Sequence, residues 1–322
     1  MNGFDKIIEE VRALRNPATE VDAKSAREIL EEFPLSDAMD QEILLHREVH
    51  FGGKFEVMID YYEKGGRGVV PEFELKRIEQ LDRLEKTLEE NLASLILSGA
   101  DAEKVQRARD AYSKFQELCE QENANQQFPR LIAEMILSEE HGAEKEIEAI
   151  AREGKKVIPY LLDLLKSRDF YDRAYPGYGQ APFLAAKCLG KIGDDKAIFT
   201  LFETVGEGDF SEEEMVVKAL CQIGQPAKEF LLKVIRSTPY GEDNERAALV
   251  LAHFQDPEVS QACLALLEIP DVMNRPVLSS YLVLACEKIE GEKERQRFSA
   301  LLEDSSLAPM LRRDIEAIVK SW

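Results

Sequence analysis

Two histidines four residues apart, His46 and His50 in His-Arg-Glu-Val-His, are the first pair in the chain placed to do chemistry. On a helix that spacing sends both imidazoles out of one face, where they could share a zinc ion, with Glu42 one turn earlier. The string is not His-Glu-x-x-His, because its glutamate, Glu48, takes the third position and points elsewhere on the helix. No third strong ligand lies near, and His141 and His253 are distant in sequence. The pair reads as surface or internally satisfied histidines, with a metal site at His46 and His50 as the sharper alternative. No cofactor is expected.

A second group of candidates is aromatic. Phe170, Tyr171, Tyr175 and Tyr178 stand among Pro176, Gly177, Gly179 and Pro182, outside any helical period. Tyrosines in a loop offer contact area at little entropic cost, which suits partner binding. The plainer reading is a loop that folds its rings back over the neighbouring helices. Glycines of a third stretch, Gly52-Gly53 and Gly65-Gly66-Arg67-Gly68, lack the spacing and the Lys-Ser/Thr ending of a phosphate-cradling loop and read as tight corners. Glu212-Glu213-Glu214 reads as first-turn charge that a helix dipole favours. No nucleophile–base pairing rises above chance, so no catalytic residue is assigned.

Five cysteines, Cys119, Cys188, Cys221, Cys263 and Cys286, are widely spaced with no CxxC pair. They read as small buried thiols in a reducing, cytoplasmic setting. Met1–Leu14 lacks the apolar core of a signal peptide, and no run approaches the roughly 18 apolar residues of a membrane span. The formal net charge of −21 argues against nucleic-acid binding by counterion release and would steer a basic partner favourably.

These residues must be positioned by helices. Apolar residues recur at helical spacing almost throughout, and alternating runs bounded by turns are hard to find. In residues 185–193, Ala-Ala-Lys-Cys-Leu-Gly-Lys-Ile-Gly, the apolar and glycine positions match 216–224, Val-Val-Lys-Ala-Leu-Cys-Gln-Ile-Gly. Gly193 falls on Gly224, an offset of 31 (224 − 193). A further 31 reaches Gln255, where Leu251 and Phe254 keep the apolar positions. A fixed period of this length marks stacked two-helix units. Each first helix stops near a glycine, and the second starts at Pro226 or at Pro257 behind an Asp256 cap. Ser211 with Glu214 suggests a capping box. An earlier copy surrounds Gly154, a looser one covers Asn274–Glu303, and Leu307–Trp322 reads as a capping helix.

Glycine after an apolar helix, followed by Val-Ile-Pro-Tyr-Leu-Leu-Asp-Leu-Leu or Ala-Ile-Phe-Thr-Leu-Phe, resembles the HEAT-like repeat of the phycobilisome-lyase type over roughly residues 144–322. The resemblance implies an all-α protein whose residues 141–322 form a HEAT-like α-solenoid, a right-handed superhelix of about five helical hairpins. A helical N-terminal domain, residues 1–140, precedes it. That domain should carry helices at Phe4–Arg15, Glu20–Phe33, Asp37–Val49, Lys54–Tyr62, Pro71–Leu97, Ala102–Glu120 and Pro129–Ser138, with a long antiparallel hairpin over about 71–120. The resemblance says little of function, since that family holds scaffolds, adaptors and a few enzymes. The repeat surface and the Tyr-rich loop lead to the expectation of a non-enzymatic scaffold that binds a protein partner. The alternative is a bilin-lyase-like enzyme handling a chromophore or metal. The absence of any His-Glu dipeptide excludes the iron-dependent hydroxylases of the same family.

Overall fold

The computed structural model describes residues 37–120, 126–304 and 307–322. Among the described residues the regular structure is entirely helical, eighteen α-helices joined by short 3-10 turns and loops. None of these helices is long and apolar enough to cross a membrane. The helices expected at Phe4–Arg15 and Glu20–Phe33 lie outside the described residues. Two compact units emerge: Met1–Ala149 with Ser167–Pro182, and Ile150–Lys166 with Phe183–Trp322. The division thus differs from the expected one at residue 140, because the Tyr-rich segment joins the first unit.

In the first unit α1 (Asp37–His50), α2 (Phe55–Lys64), α3 (Leu75–Leu88), α4 (Leu92–Ile96), α5 (Gly99–Glu120) and α6 (Gln127–Leu137) follow in order, and α7 (Glu144–Arg152) spans the boundary. The expected single helix over 71–97 is instead two, broken where Glu89 turns left-handed (φ 52°). Side chains satisfy the break: the Asn91 carbonyl accepts from Ser94 N at 3.1 Å and Glu85 Oε2 accepts from Leu92 N at 2.8 Å. This redirects the chain, so α3 packs on α2, α4 on α1, and α5 on α1 and α6. The expected long hairpin over about 71–120 is replaced by these pairings. Ile43, Leu44, Phe55, Met58, Ile78, Leu81, Leu84 and Leu92 form the core. Fully buried Arg47 enters it from α1, bonded to Glu85 (2.7 Å) and Glu48 (2.8 Å) with its guanidinium 4.2 Å from the Phe55 ring centroid. Charge pairing on one side and a ring face on the other are what make such burial tolerable.

The second unit carries α8 (Ile158–Lys166), most of α9 (Ala181–Ile192), α10 (Ile198–Thr204), α11 (Phe210–Ile223), α12 (Gln225–Ile235), α13 (Glu242–Ala252) and α14 (Pro257–Leu267). A short α15 (Pro270–Met273) leads to α16 (Pro276–Ala285), α17 (Glu292–Ala300) and α18 (Pro309–Ser321). The period of 31 has a backbone counterpart. Gly193 (φ 69°), Gly224 (φ 78°) and Gln255 (φ 47°) all turn left-handed between helices, the last without the freedom glycine has there. Asp256 caps α14, accepting from Glu258 N at 2.8 Å, with Pro257 in the first helical position. The expected capping box of Ser211 and Glu214 sits two residues earlier: Asp209 accepts from Glu212 N, and Glu212 accepts from Asp209 N, each at 2.9 Å. Aspartate in an extended N-cap performs that role as well as serine, so the acidic run left two registers open.

Ion pairs link the starts of alternate helices, α8 to α10 and α12 to α14. Lys155 Nζ lies 2.8 Å from the cap Asp194, and Lys228 Nζ lies 2.8 Å from the cap Asp256 and 2.7 Å from Glu258. Between α12 and α13, buried Asn244 donates to the carbonyls of Val234 (2.9 Å), Ile235 (3.2 Å) and Ser237 (3.0 Å) and accepts from Gly241 N (2.8 Å). One amide thereby closes a helix end and opens the next. The final helix buries Leu311, Ile315 and Ile318, and Trp322 packs on Phe298.

Candidate functional site

The residues singled out by type come together in the first unit. His46 and His50 leave one face of α1 with ring centroids 4.5 Å apart, as the four-residue spacing requires. Tyr178 closes on them, 4.6 Å from the His50 ring and 6.3 Å from the His46 ring. The Tyr-rich segment therefore packs on helices of its own unit. Pro176-Gly177-Tyr178-Gly179 makes this possible through three successive left-handed residues, Gly177 (φ 90°), Tyr178 (φ 58°) and Gly179 (φ 79°). A tyrosine in that region is strained by the order of 1–3 kcal/mol, so the surroundings must hold it.

The holding contacts are specific. Tyr178 donates its hydroxyl to Glu139 Oε1 at 3.0 Å, and Tyr61 donates to Oε2 of the same carboxylate. Arg67, only 3% exposed, donates to the carbonyls of Met135 (3.1 Å), Ser138 (2.8 Å) and Gly177 (3.2 Å), and to Gln180 Oε1 (3.2 Å). It ties the segment to the end of α6 through neutral acceptors. Gly68 must be glycine, since a Cβ there would lie 2.2 Å from the Tyr178 ring. Tyr175 completes the docking against Leu45, Val49, Val105, Ala108 and Ala174. Phe170 lies against Phe115 and Tyr175, and Tyr171 is half-buried beside Arg168.

Both imidazoles are engaged. His46 Nε2 meets the Gly68 carbonyl at 3.1 Å. His50 Nε2 meets the Arg173 carbonyl at 2.8 Å, and its Nδ1 meets Tyr112 Oη at 2.7 Å. Carbonyls only accept, so each Nε2 carries the proton and each Nδ1 is the acceptor. Burial pushes the His46 pKa down to about 4, against the help of the Gly68 carbonyl, and the Arg173 charge lowers it further. Burial, then the neighbouring His46, holds His50 well below the ordinary histidine range. Burial likewise raises Tyr112 and Tyr178, and it pushes Tyr62 up to about 12. The cluster is thus a set of neutral rings around the Glu139 side chain. Among the described residues no three His, Cys, Asp or Glu side chains are grouped so as to hold a metal ion.

Beside the cluster a cavity of about 390 Å³ opens between α1, residues 70–73, the start of α5 and residues 171–174. Leu45, Val70 and Phe73 form its apolar wall beside His46, and the charged residues Glu42, Asp172, Lys104 and Arg173 also line it. The cysteines lie elsewhere: Cys188, Cys263 and Cys286 are buried, and all five are free thiols. Burial pushes Cys221 up to about 11 and Cys263 up to about 12, which makes poor nucleophiles of them.

Sequence reasoning reached the two histidines and the four aromatics but missed Arg67, Tyr112, Glu139 and Gly68. Arg67 had a signal, being a lone cation between glycines; Tyr112 and Glu139 had none, since only the fold brings them within reach. The chain matches no protein-family model, and no curated protein matches it.

Proposed function

We propose that the chain is a non-enzymatic docking module whose second unit is a HEAT-like α-solenoid that binds a protein partner along the ridge of its second helices. The order of packing carries this reading. First helices meet first helices, α11 on α13, α13 on α16 and α16 on α18, and second helices meet second helices, α8 on α10 and α14 on α17. Second helices also pack on the first helix that follows, α10 on α11, α12 on α13 and α14 on α16. That is the neighbour-only pairing expected of stacked hairpins, each burying the stripe the last one leaves open. The left-handed turns at 193, 224 and 255 and the Lys–Asp pairs between hairpins support the same repeat.

On the adjacent second helices α8 and α10, Tyr160 and Phe199 are exposed, Phe199 to 59%. Large aromatics are the residue types that anchor interfaces. The partner this ridge suits is a polypeptide with apolar anchor residues and basic flanks, since the chain carries a net charge of −21. In the same proposal Phe170 and Tyr171 offer a second contact, while Tyr175 and Tyr178 act by holding their segment in place.

The test is cross-linking capture from the native cell with wild type, Tyr160→Ala/Phe199→Ala, and Tyr171→Ala/Tyr175→Ala/Tyr178→Ala. The first variant should keep the wild-type melting temperature and lose the captured polypeptide. The second should lower the melting temperature through loss of the Tyr178 and Tyr175 packing. An undiminished capture by Tyr160→Ala/Phe199→Ala overturns the ridge as the docking surface.

A further inference from the structure

Three aromatic side chains stand at one position of the second helices α8, α10 and α12. Phe199 follows Tyr160 by 39 residues (199 − 160), and Phe230 follows Phe199 by 31 (230 − 199). Those are the spacings of the turn glycines, 39 from Gly154 to Gly193 (193 − 154) and 31 from Gly193 to Gly224. Tyr160 and Phe199 are 40% and 59% exposed. Phe230 is half-buried, its ring 5.4 Å from that of Phe202, which lies one turn past Phe199. The Lys155–Asp194 pair joins the starts of α8 and α10, which pack on each other, so the two helices run side by side in the same sense. The aromatics therefore make rungs across the ridge, one to a helix.

The spacing of such rungs decides which polypeptide conformation fits them. Packed helices lie about 8–10 Å apart. A polyproline II segment turns once in three residues and rises about 9.3 Å in doing so, which brings every third residue to one rung. An extended strand repeats its face every two residues, in about 6.6–6.8 Å. An α-helix repeats its face in about 5–6 Å and meets a rung only with every seventh residue. Charge is arranged about the rungs in a fixed sense. Exposed Lys156 and Lys196 stand a turn before Tyr160 and Phe199, and exposed Asp163 and Glu203 stand a turn after them. Among the described residues neither of these two carboxylates is in an ion pair.

We propose that the ridge of α8, α10 and α12 binds a polyproline II segment, with a proline at every third residue against Tyr160, Phe199 and Phe230 and a basic residue beside it facing Asp163 and Glu203. The inference rests on the docking reading above and names the conformation and composition of its partner. Flat aromatic faces accept pyrrolidine rings, and a segment already held near its bound shape loses little entropy on docking. The three faces of a polyproline II helix place the basic side chain to one side of the rungs, where the two free acids stand. At the third rung exposed Lys233 follows Phe230 by a turn, so the basic residues belong at the Tyr160 and Phe199 end.

The probe is a fluorescent peptide of four Pro-Pro-Arg repeats, titrated into the full chain by anisotropy at about 150 mM salt. One control, four Gly-Gly-Arg repeats, has the same charge on a flexible backbone. A second is a helical peptide of the same length and charge with leucines at every third and fourth position. The Pro-Pro-Arg peptide should bind saturably at one site, about tenfold or more tighter than either control. Tyr160→Ala/Phe199→Ala should remove that advantage at an unchanged melting temperature, and Asp163→Asn/Glu203→Gln should weaken binding about threefold or more. Affinity no better than that of Gly-Gly-Arg, or undiminished in Tyr160→Ala/Phe199→Ala, overturns the proposal. Full affinity in Asp163→Asn/Glu203→Gln overturns the placement of the basic residue. Tighter binding of the helical peptide, lost in Tyr160→Ala/Phe199→Ala, overturns the polyproline partner but leaves the ridge as the docking surface; the ridge itself fails only in the capture from the cell.

Discussion

At His46 the demands of packing and of titration meet in one ring. Its neutral form is kept by burial, with a pKa near 4 in the folded chain against about 6.5 for a free imidazole. The unfolded chain therefore binds the extra proton first. Stability is full above about pH 6.5, declines as pH falls toward 4, and loses about 3 kcal/mol from this residue over that window. His50, lowered for the same reason, adds to the loss in the same direction. Urea melts at pH 7.5, 6, 5 and 4 should show a steady fall through this range, and the His46 ring carbons in NMR should titrate near 4. A midpoint near 6.5 would mean that the ring is solvated. Carboxylates such as Asp256 and Asp194, whose pKa values are lowered by their lysine partners, contribute only at still lower pH.

Elements are joined in this protein by single side chains that satisfy whole helix ends, and Asn244 is the clearest. Its amide closes α12 and its carbonyl opens α13, with the residue 2% exposed. Asn244→Ala should cost about 2–4 kcal/mol, since the carbonyls of Ile235 and Ser237 lose the amide donor and Gly241 N its acceptor, while Val234 keeps the donor Ser237 N at 3.0 Å. Asn244→Asp, nearly isosteric, should cost more at neutral pH by setting a carboxylate against those carbonyls, and acidification should recover part of it; chemical denaturation at pH 7 and 4 measures both. The turn at Gln255 makes the opposite case. There a side chain occupies a left-handed position that glycine fills at 193 and 224. Gln255→Gly should be neutral to stabilising, by up to about 1 kcal/mol, and a thermal melt checks the sign.

The whole molecule is dominated by its acidity. A net charge of −21 repels itself, so raising salt from about 10 to about 300 mM should raise the melting temperature while slowing association with a basic partner. Stopped-flow association across that range tests the charge complementarity of the docking proposal separately from the Tyr160 and Phe199 contacts. An association rate indifferent to salt would leave the ridge apolar in its recognition.

What the residues dictate by themselves is what depends on neighbours along the chain. Helical periodicity marks α1, α2 and α6 nearly to the residue, the period of 31 locates the left-handed turns, and Asp256 and Pro257 set the start of α14, because caps and turns are closed by groups only a few positions apart. The four-residue spacing likewise puts His46 and His50 on one face. Decisions of the tertiary structure are those that need distant groups. The break at Glu89 holds because Glu85 and Asn91 find backbone donors there, and the Tyr-rich segment turns inward because Arg67, His50 and Glu139 satisfy it from 39 to 123 positions away. A hydrogen bond of that kind leaves no local trace, since either partner alone looks like any exposed polar residue until folding brings the other to it.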